Sequence, residues 1–177
     1  VYAASVGAGG KTAFYRMEVA TSPGSGKVRI SGAIDSMLRQ SVQTAWSYLS
    51  SRKDEMGLSE MFNSVDFHFQ GIDLLSNQEG CEAGMAVFVA IYSAALKKPI
   101  LPGLIILGDM TIQGNVKACR SLLEPLQLAM ENGARRVLLP TENRRHFLEV
   151  PADTVEKVDP IFYADPQIAA AKALGFH

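Results

Sequence analysis

Glu82-Ala83-Gly84-Met85-Ala86-Val87-Phe88-Val89-Ala90-Ile91-Tyr92-Ser93-Ala94-Ala95-Leu96 has its only charge at the first residue and is apolar around nearly the whole helical wheel. The run is too short to span a bilayer comfortably, and it closes on Lys97-Lys98. The economical reading is a central helix buried on most sides. The two lysines suit its end, where positive charge meets the negative pole of the helix.

C-terminal to this run, strand and helix patterns alternate. Leu104-Ile105-Ile106-Leu107 reads as a buried strand, and Gly108-Asp109-Met110-Thr111-Ile112-Gln113-Gly114 as a turn leading to a second strand edge. A helix from about Leu122 to Asn132 carries Pro125 in its first turn and stops at Gly133. Arg136–Pro140 reads as a short strand, Glu142–Glu149 as a short helix, Val158–Tyr163 as a last strand and Pro166–Leu174 as a closing helix. N-terminal to it, Thr12–Thr21 and Val65–Phe69 alternate as strands. Pro23-Gly24-Ser25-Gly26-Lys27 sits between the first of these and Val28–Gly32, and is expected to be a hairpin turn. A helix capped by Asp35 or Ser36 runs to roughly Met56, with Trp46 toward the core. These patterns predict one mixed α/β (α+β) domain over residues 1–177, hairpin-rich in its N-terminal half and alternating in its C-terminal half.

Composition narrows the function. Of the 177 residues, 47% are hydrophobic and 20% charged, and the net charge is −1, a globular balance. Direct nucleic-acid binding has no support from so neutral a chain. Cys81 and Cys119 are too few for a disulfide scaffold, and His68, His146 and His177 show no metal-ligand spacing, so no metal is expected. A reducing cytoplasm is the expected setting, without membrane association. The start on a strand-like run, with no signal peptide, suggests a piece of a longer protein. Gly26-Lys27 lacks the earlier glycine, the following Ser or Thr and the helix of a phosphate loop, so no cofactor site is expected here.

Four segments, in order, resemble the proteolytic domain of Lon proteases. They are the 23–32 turn and strand, the Ser41–Arg52 helix, Gly108–Gly114 (similar to the family's Gly-Glu-aliphatic-Thr-aliphatic-Arg-Gly) and Gly133–Asn143, GARRVLLPTEN. The resemblance implies a Ser-Lys peptidase, but its two motif positions differ here. The family's Gly-Pro-Ser-Ala-Gly reads Gly80-Cys81-Glu82-Ala83-Gly84. Its Gly-Gly-Leu-Lys, counted back without gaps from Val137, reads Arg120-Ser121-Leu122-Leu123. Glu82 and Leu123 therefore stand where the nucleophile and base are expected, and Leu123 accepts no proton. Fallback candidates are Cys81 as a thiol nucleophile with Lys117 as its amine, beside Thr111. Glu82 also reads as an acid placed at a helix N-terminus, or as a general base. Cys81 and Cys119 are two reduced core residues or a redox pair, and His68 a sheet histidine.

The departures look most like the Lon-related AAA+ proteins of BREX phage-defence systems. That likeness implies a preceding AAA+ ATPase domain using ATP and magnesium, a ring of like subunits such as a hexamer, and a polypeptide substrate. The expected function is a non-proteolytic assembly and coupling module. The alternatives are an ATP-dependent peptidase with relocated residues, or a peptide- or ligand-binding pocket without chemistry.

Overall fold

The computed structural model describes residues 1–7, 9–32 and 36–176. A mixed sheet of seven strands in the order β3-β4-β2-β1-β5-β8-β9 forms its middle layer. The strands are β1 (Tyr2–Val6), β2 (Thr12–Pro23), β3 (Val28–Gly32), β4 (Val65–Asp73), β5 (Leu104–Ile106), β8 (Arg136–Pro140) and β9 (Asp159–Tyr163). A separate two-stranded ribbon joins β6 (Asp109–Met110) to β7 (Val116–Lys117). The helices are α1 (Ser36–Arg52), α2 (Ser59–Ser64), α3 (Gly84–Leu96), α4 (Leu123–Glu131), α5 (Arg144–Glu149), α6 (Ala152–Val155) and α7 (Pro166–Ala173). This is the mixed α/β domain that the patterns predict, and among the described residues no helix is long and apolar enough to cross a membrane.

Period-two alternation splits the core into two clusters, one on each face of the sheet. Ala3, Tyr15, Met17, Ile106 and Leu138 join a cluster containing α1, α3 and α7 residues. Their neighbours Ala4, Phe14, Ile105, Val137 and Leu139 join another with Leu126 and Ala129 of α4 and Phe147 of α5. α3 packs against α1, α7 and β2, which is why its sequence is apolar all round. Tyr48 of α1 meets Phe88 of α3 edge to face, with ring centroids 5.4 Å apart. Trp46 is half-buried and packs on Phe62 and Phe67 at 4.9 and 5.4 Å. Gly133 ends α4 with φ 81°, as its position after the last apolar residue predicts.

The Pro23–Lys27 turn is a correction. It does not join paired strands, because β4 lies between β2 and β3, antiparallel to β2 and parallel to β3. The connection is an arch over the start of β4. Asp66 holds it open: one carboxylate oxygen accepts the amides of Ser25 (3.0 Å) and Lys27 (2.9 Å). Gly24 and Gly26 donate to the Ser64 and Val65 carbonyls. A local turn signal names the reversal, while the strand inserted between comes from far along the chain. The real hairpin of this half joins β1 and β2. The α1 helix ends at Arg52 rather than near Met56, and α2 and α6 have too few residues to show a period. Of the two expected caps, Ser36 is the first residue of α1, while Asp35 lies outside the described residues, as does His177.

The Lys27 amide, then that of Ser25, holds the Asp66 carboxyl below its ordinary value of 3.8. A depressed folded-state pKa contributes stability that is full above 3.8 and disappears as pH falls through the lowered value. Asp66→Ala is therefore expected to lower Tm at neutral pH, with the gap from wild type closing below pH 3.8 in a series of thermal melts.

Candidate active site

An α-helix leaves its first amides without intrahelical partners, and burial makes that costly. At the entry to α3, three consecutive amides are each accepted by a side chain from a different element. Glu82 N donates to Ser5 Oγ on β1 (3.3 Å), Ala83 N to Ser41 Oγ on α1 (3.2 Å) and Gly84 N to Asp109 Oδ1 on β6 (2.9 Å). Asp109 Oδ1 also accepts its neighbour Met110 N at 2.8 Å. Gly84 must lack a side chain, since a Cβ there would run into Asp109 Oδ1.

Glu82 is not the acid that serves this helix end. α3 begins at Gly84, and the Glu82 side chain turns to Arg120, Oε1 to Nη2 at 3.8 Å, with 38% and 57% of the two side chains exposed. A pair so exposed contributes little to stability. Asp109 takes the position at the amides. Burial pushes its carboxyl above 3.8, against the opposing pull of the Met110 and Gly84 amides and the Lys117 ammonium. The charge of Glu82 adds to the rise.

Two cavities flank Glu82. A cleft of about 310 Å³ lies between α1 and the β6–β7 ribbon, bordered by Ser41, Glu82, Asp109, Thr111 and Lys117. On the other side a pocket of about 20 Å³ is bordered by Ser5, Glu82, Asp109, Cys119 and Arg120. Thr111 has a turn role as well: its Oγ1 accepts Asn115 N at 3.1 Å. Lys117 pairs with Asp109 across the ribbon and is exposed. Leu123 opens α4, 36% exposed and outside the residues that border either cavity.

The cysteines sit apart from the cleft. Cys81 is wholly buried and borders neither cavity, with its Sγ accepting Ser5 Oγ at 3.5 Å. Cys119 borders the small pocket, where burial and then the Asp109 charge push its thiol up to about 12. That thiol stays protonated near neutrality and is a poor nucleophile. The two form no disulfide. His68 is bonded to Ser22 Oγ at 2.8 Å on the sheet, away from the cleft.

Asn143, within the GARRVLLPTEN segment, is a structural residue of the site with no local signal of that role. Fully buried, its Oδ1 accepts Cys119 N at 2.8 Å and its Nδ2 donates to Cys119 O at 3.1 Å. This two-way clamp fixes the segment that carries Arg120 toward Glu82. Ser5 and Ser41 had no local signal at all.

Asp109 gives the sharpest test. Asp109→Ala removes the acceptor of two amides and is expected to cost about 2 kcal/mol. Asp109→Asn keeps an acceptor oxygen and should hold the fold. A raised folded-state pKa contributes stability that is complete below 3.8 and is lost as pH rises through the raised value. The stability of Asp109→Asn relative to wild type should therefore grow across that window and level off above it, as read by denaturant unfolding at several pH values.

Comparison with known proteins agrees with this architecture. A family model described as Lon protease (S16) C-terminal proteolytic domain matches residues 3–174. The chain is 30% identical over 167 residues to the Lon-like protease BrxL of Escherichia coli O9:H4 (strain HS), which covers 94% of this chain and 24% of that protein. It is 32% identical over 158 residues to the Lon protease of Methylocella silvestris, covering 88% of this chain and 20% of the relative. With Lon protease 3 of Sorangium cellulosum it shares 33% over 135 residues, 76% of this chain and 16% of the relative. The chain thus spans at most 24% of the length of these relatives. With a model match over nearly all of its residues, the chain belongs to the family of Lon protease C-terminal proteolytic domains.

Proposed function

We propose that this domain has lost peptidase chemistry and serves as an assembly and coupling module of an ATP-driven machine. The observation that carries the reading is the use of the 82–84 amides. Acyl transfer needs donors aimed at a developing oxyanion, and here the three amides at the motif are spent on Ser5, Ser41 and Asp109. Glu82, at the expected nucleophile position, is paired with Arg120. Leu123, at the expected base position, offers a hydrocarbon. Cys81 has no surface on the cleft, and Lys117 faces Asp109 across the ribbon, so the cleft presents no thiol beside that amine.

The remaining assignments rest on the resemblance of the motifs to the Lon-related AAA+ proteins of BREX systems. They are a preceding AAA+ domain that binds ATP and magnesium, a homo-oligomeric ring, hexameric in the simplest case, and a cytoplasmic role in phage defence. The cleft of about 310 Å³ leaves room for a peptide segment held without cleavage, which is the second reading.

Full-length protein incubated with ATP, magnesium and casein is expected to leave the casein intact on a denaturing gel. Cleavage that disappears in Cys81→Ala or Lys117→Ala would overturn the proposal. Stabilisation of the protein by uncleaved peptides in a thermal-shift screen would favour the binding pocket over pure scaffolding.

A further inference from the structure

The two edges of the main sheet are built differently. At β9, Asp159 N donates to Arg135 O at 2.8 Å, so residues 159, 161 and 163 turn their backbone groups to β8 while Pro160 and Phe162 face outward. Pro160 has no N–H to offer, and Lys172 Nζ takes the Phe162 carbonyl at 2.7 Å. Both are devices that stop another strand from adding.

β3, at the opposite edge, has neither. Phe67 N donates to Lys27 O at 2.8 Å, and Val28 is the register partner of Phe67. Lys27, Arg29 and Ser31 therefore spend their backbone groups on β4, and Val28 and Ile30 present theirs outward. Among the described residues β4 is the one strand paired with β3. Val28 and Ile30 are β-branched and favour the extended state, and Val28–Gly32 contains no proline.

Charge indicates what would pair there. Lys27 and Arg29 are exposed on this edge, and neither is in an ion pair among the described residues. The nearby Asp66 accepts the Ser25 and Lys27 amides through Oδ1 and offsets part of the Arg29 charge from the β4 side, so the outward side of Arg29 is the side left for a partner's carboxylate. Arg29 shares the sheet face of His68, its register partner, while Val28 and Ile30 lean on the core of the other face. A second copy of β3 brings no acid to meet Arg29, because Val28–Gly32 contains none.

We propose that the outer edge of β3 is a strand-addition site for an extended acidic segment of a partner polypeptide. Its alternate residues are carboxylates facing Arg29 and apolar side chains continuing the Val28–Ile30 row. The main chain supplies the hydrogen bonds, and the cross-strand charge pair supplies the selectivity. This site is separate from the cleft at Glu82 and does not depend on whether that cleft cleaves.

The test is anisotropy titration of full-length protein against a fluorescein-labelled peptide of alternating valine and glutamate, beside its valine–lysine counterpart. The acidic peptide is expected to bind saturably, and the basic one at least about tenfold more weakly. Ile30→Pro removes an outward N–H that the β4 ladder does not use, so it should abolish binding while circular dichroism stays native. Arg29→Glu should weaken the acidic peptide about tenfold and keeps the test valid if the proline variant unfolds. No saturable binding of the acidic peptide, or equal binding by wild type and Arg29→Glu, would overturn the proposal. So would self-association of wild type that Ile30→Pro abolishes.

Discussion

The amides at the entry to α3 have to be satisfied before that helix can be buried, and much of the domain is arranged to do so. α3 has no charge between Gly84 and Leu96, so it contributes nothing polar to its own first turn beyond backbone. Ser5, Ser41 and Asp109 come from a strand, a helix and a ribbon that meet only in the folded state. Each acceptor fixes its parent element relative to α3. The helix that builds the core is thereby also the point at which β1, α1 and β6 are locked together.

This arrangement couples stability to the site. The α1 helix and the ribbon that border the cleft are the same segments that satisfy the entry to α3, so the cleft inherits rigidity from the core. Asp109 shows the tension in this. Its carboxyl is partly desolvated, which favours the neutral form, yet the two amides it accepts favour the charged one. Asn143 supports the small pocket on the other side of Glu82 by gripping Cys119 through both of its amide atoms.

The sheet shows a second division of labour. Its β1–β5–β8 half is covered on both faces, and strands there alternate between two hydrophobic clusters. Its β4–β3 side has helices on one face and polar residues such as His68 and Gln70 on the other. One edge is closed by Pro160 and Lys172, while the other leaves Val28 and Ile30 open. The asymmetry marks the β3 side as the surface on which the domain is prepared to meet something else.

Local sequence determined the elements whose signal is periodic or chemical within a few residues. The all-apolar run from Gly84 to Leu96, the strands Leu104–Ile106 and Arg136–Pro140, and the Gly133 stop are legible because side-chain spacing and backbone freedom act over one or two turns. The ordered segments around Ser41–Arg52, Gly108–Gly114 and Gly133–Asn143 likewise carried the family. Tertiary structure alone decided that β4 enters between β2 and β3, that Asp109 rather than Glu82 serves the α3 amides, and that Glu82 turns to Arg120. These outcomes rest on groups 25 to 77 residues apart, such as Gly84 with Asp109 and Glu82 with Ser5. A buried donor takes whichever acceptor packing brings within about 3 Å, and sequence proximity has no part in that choice.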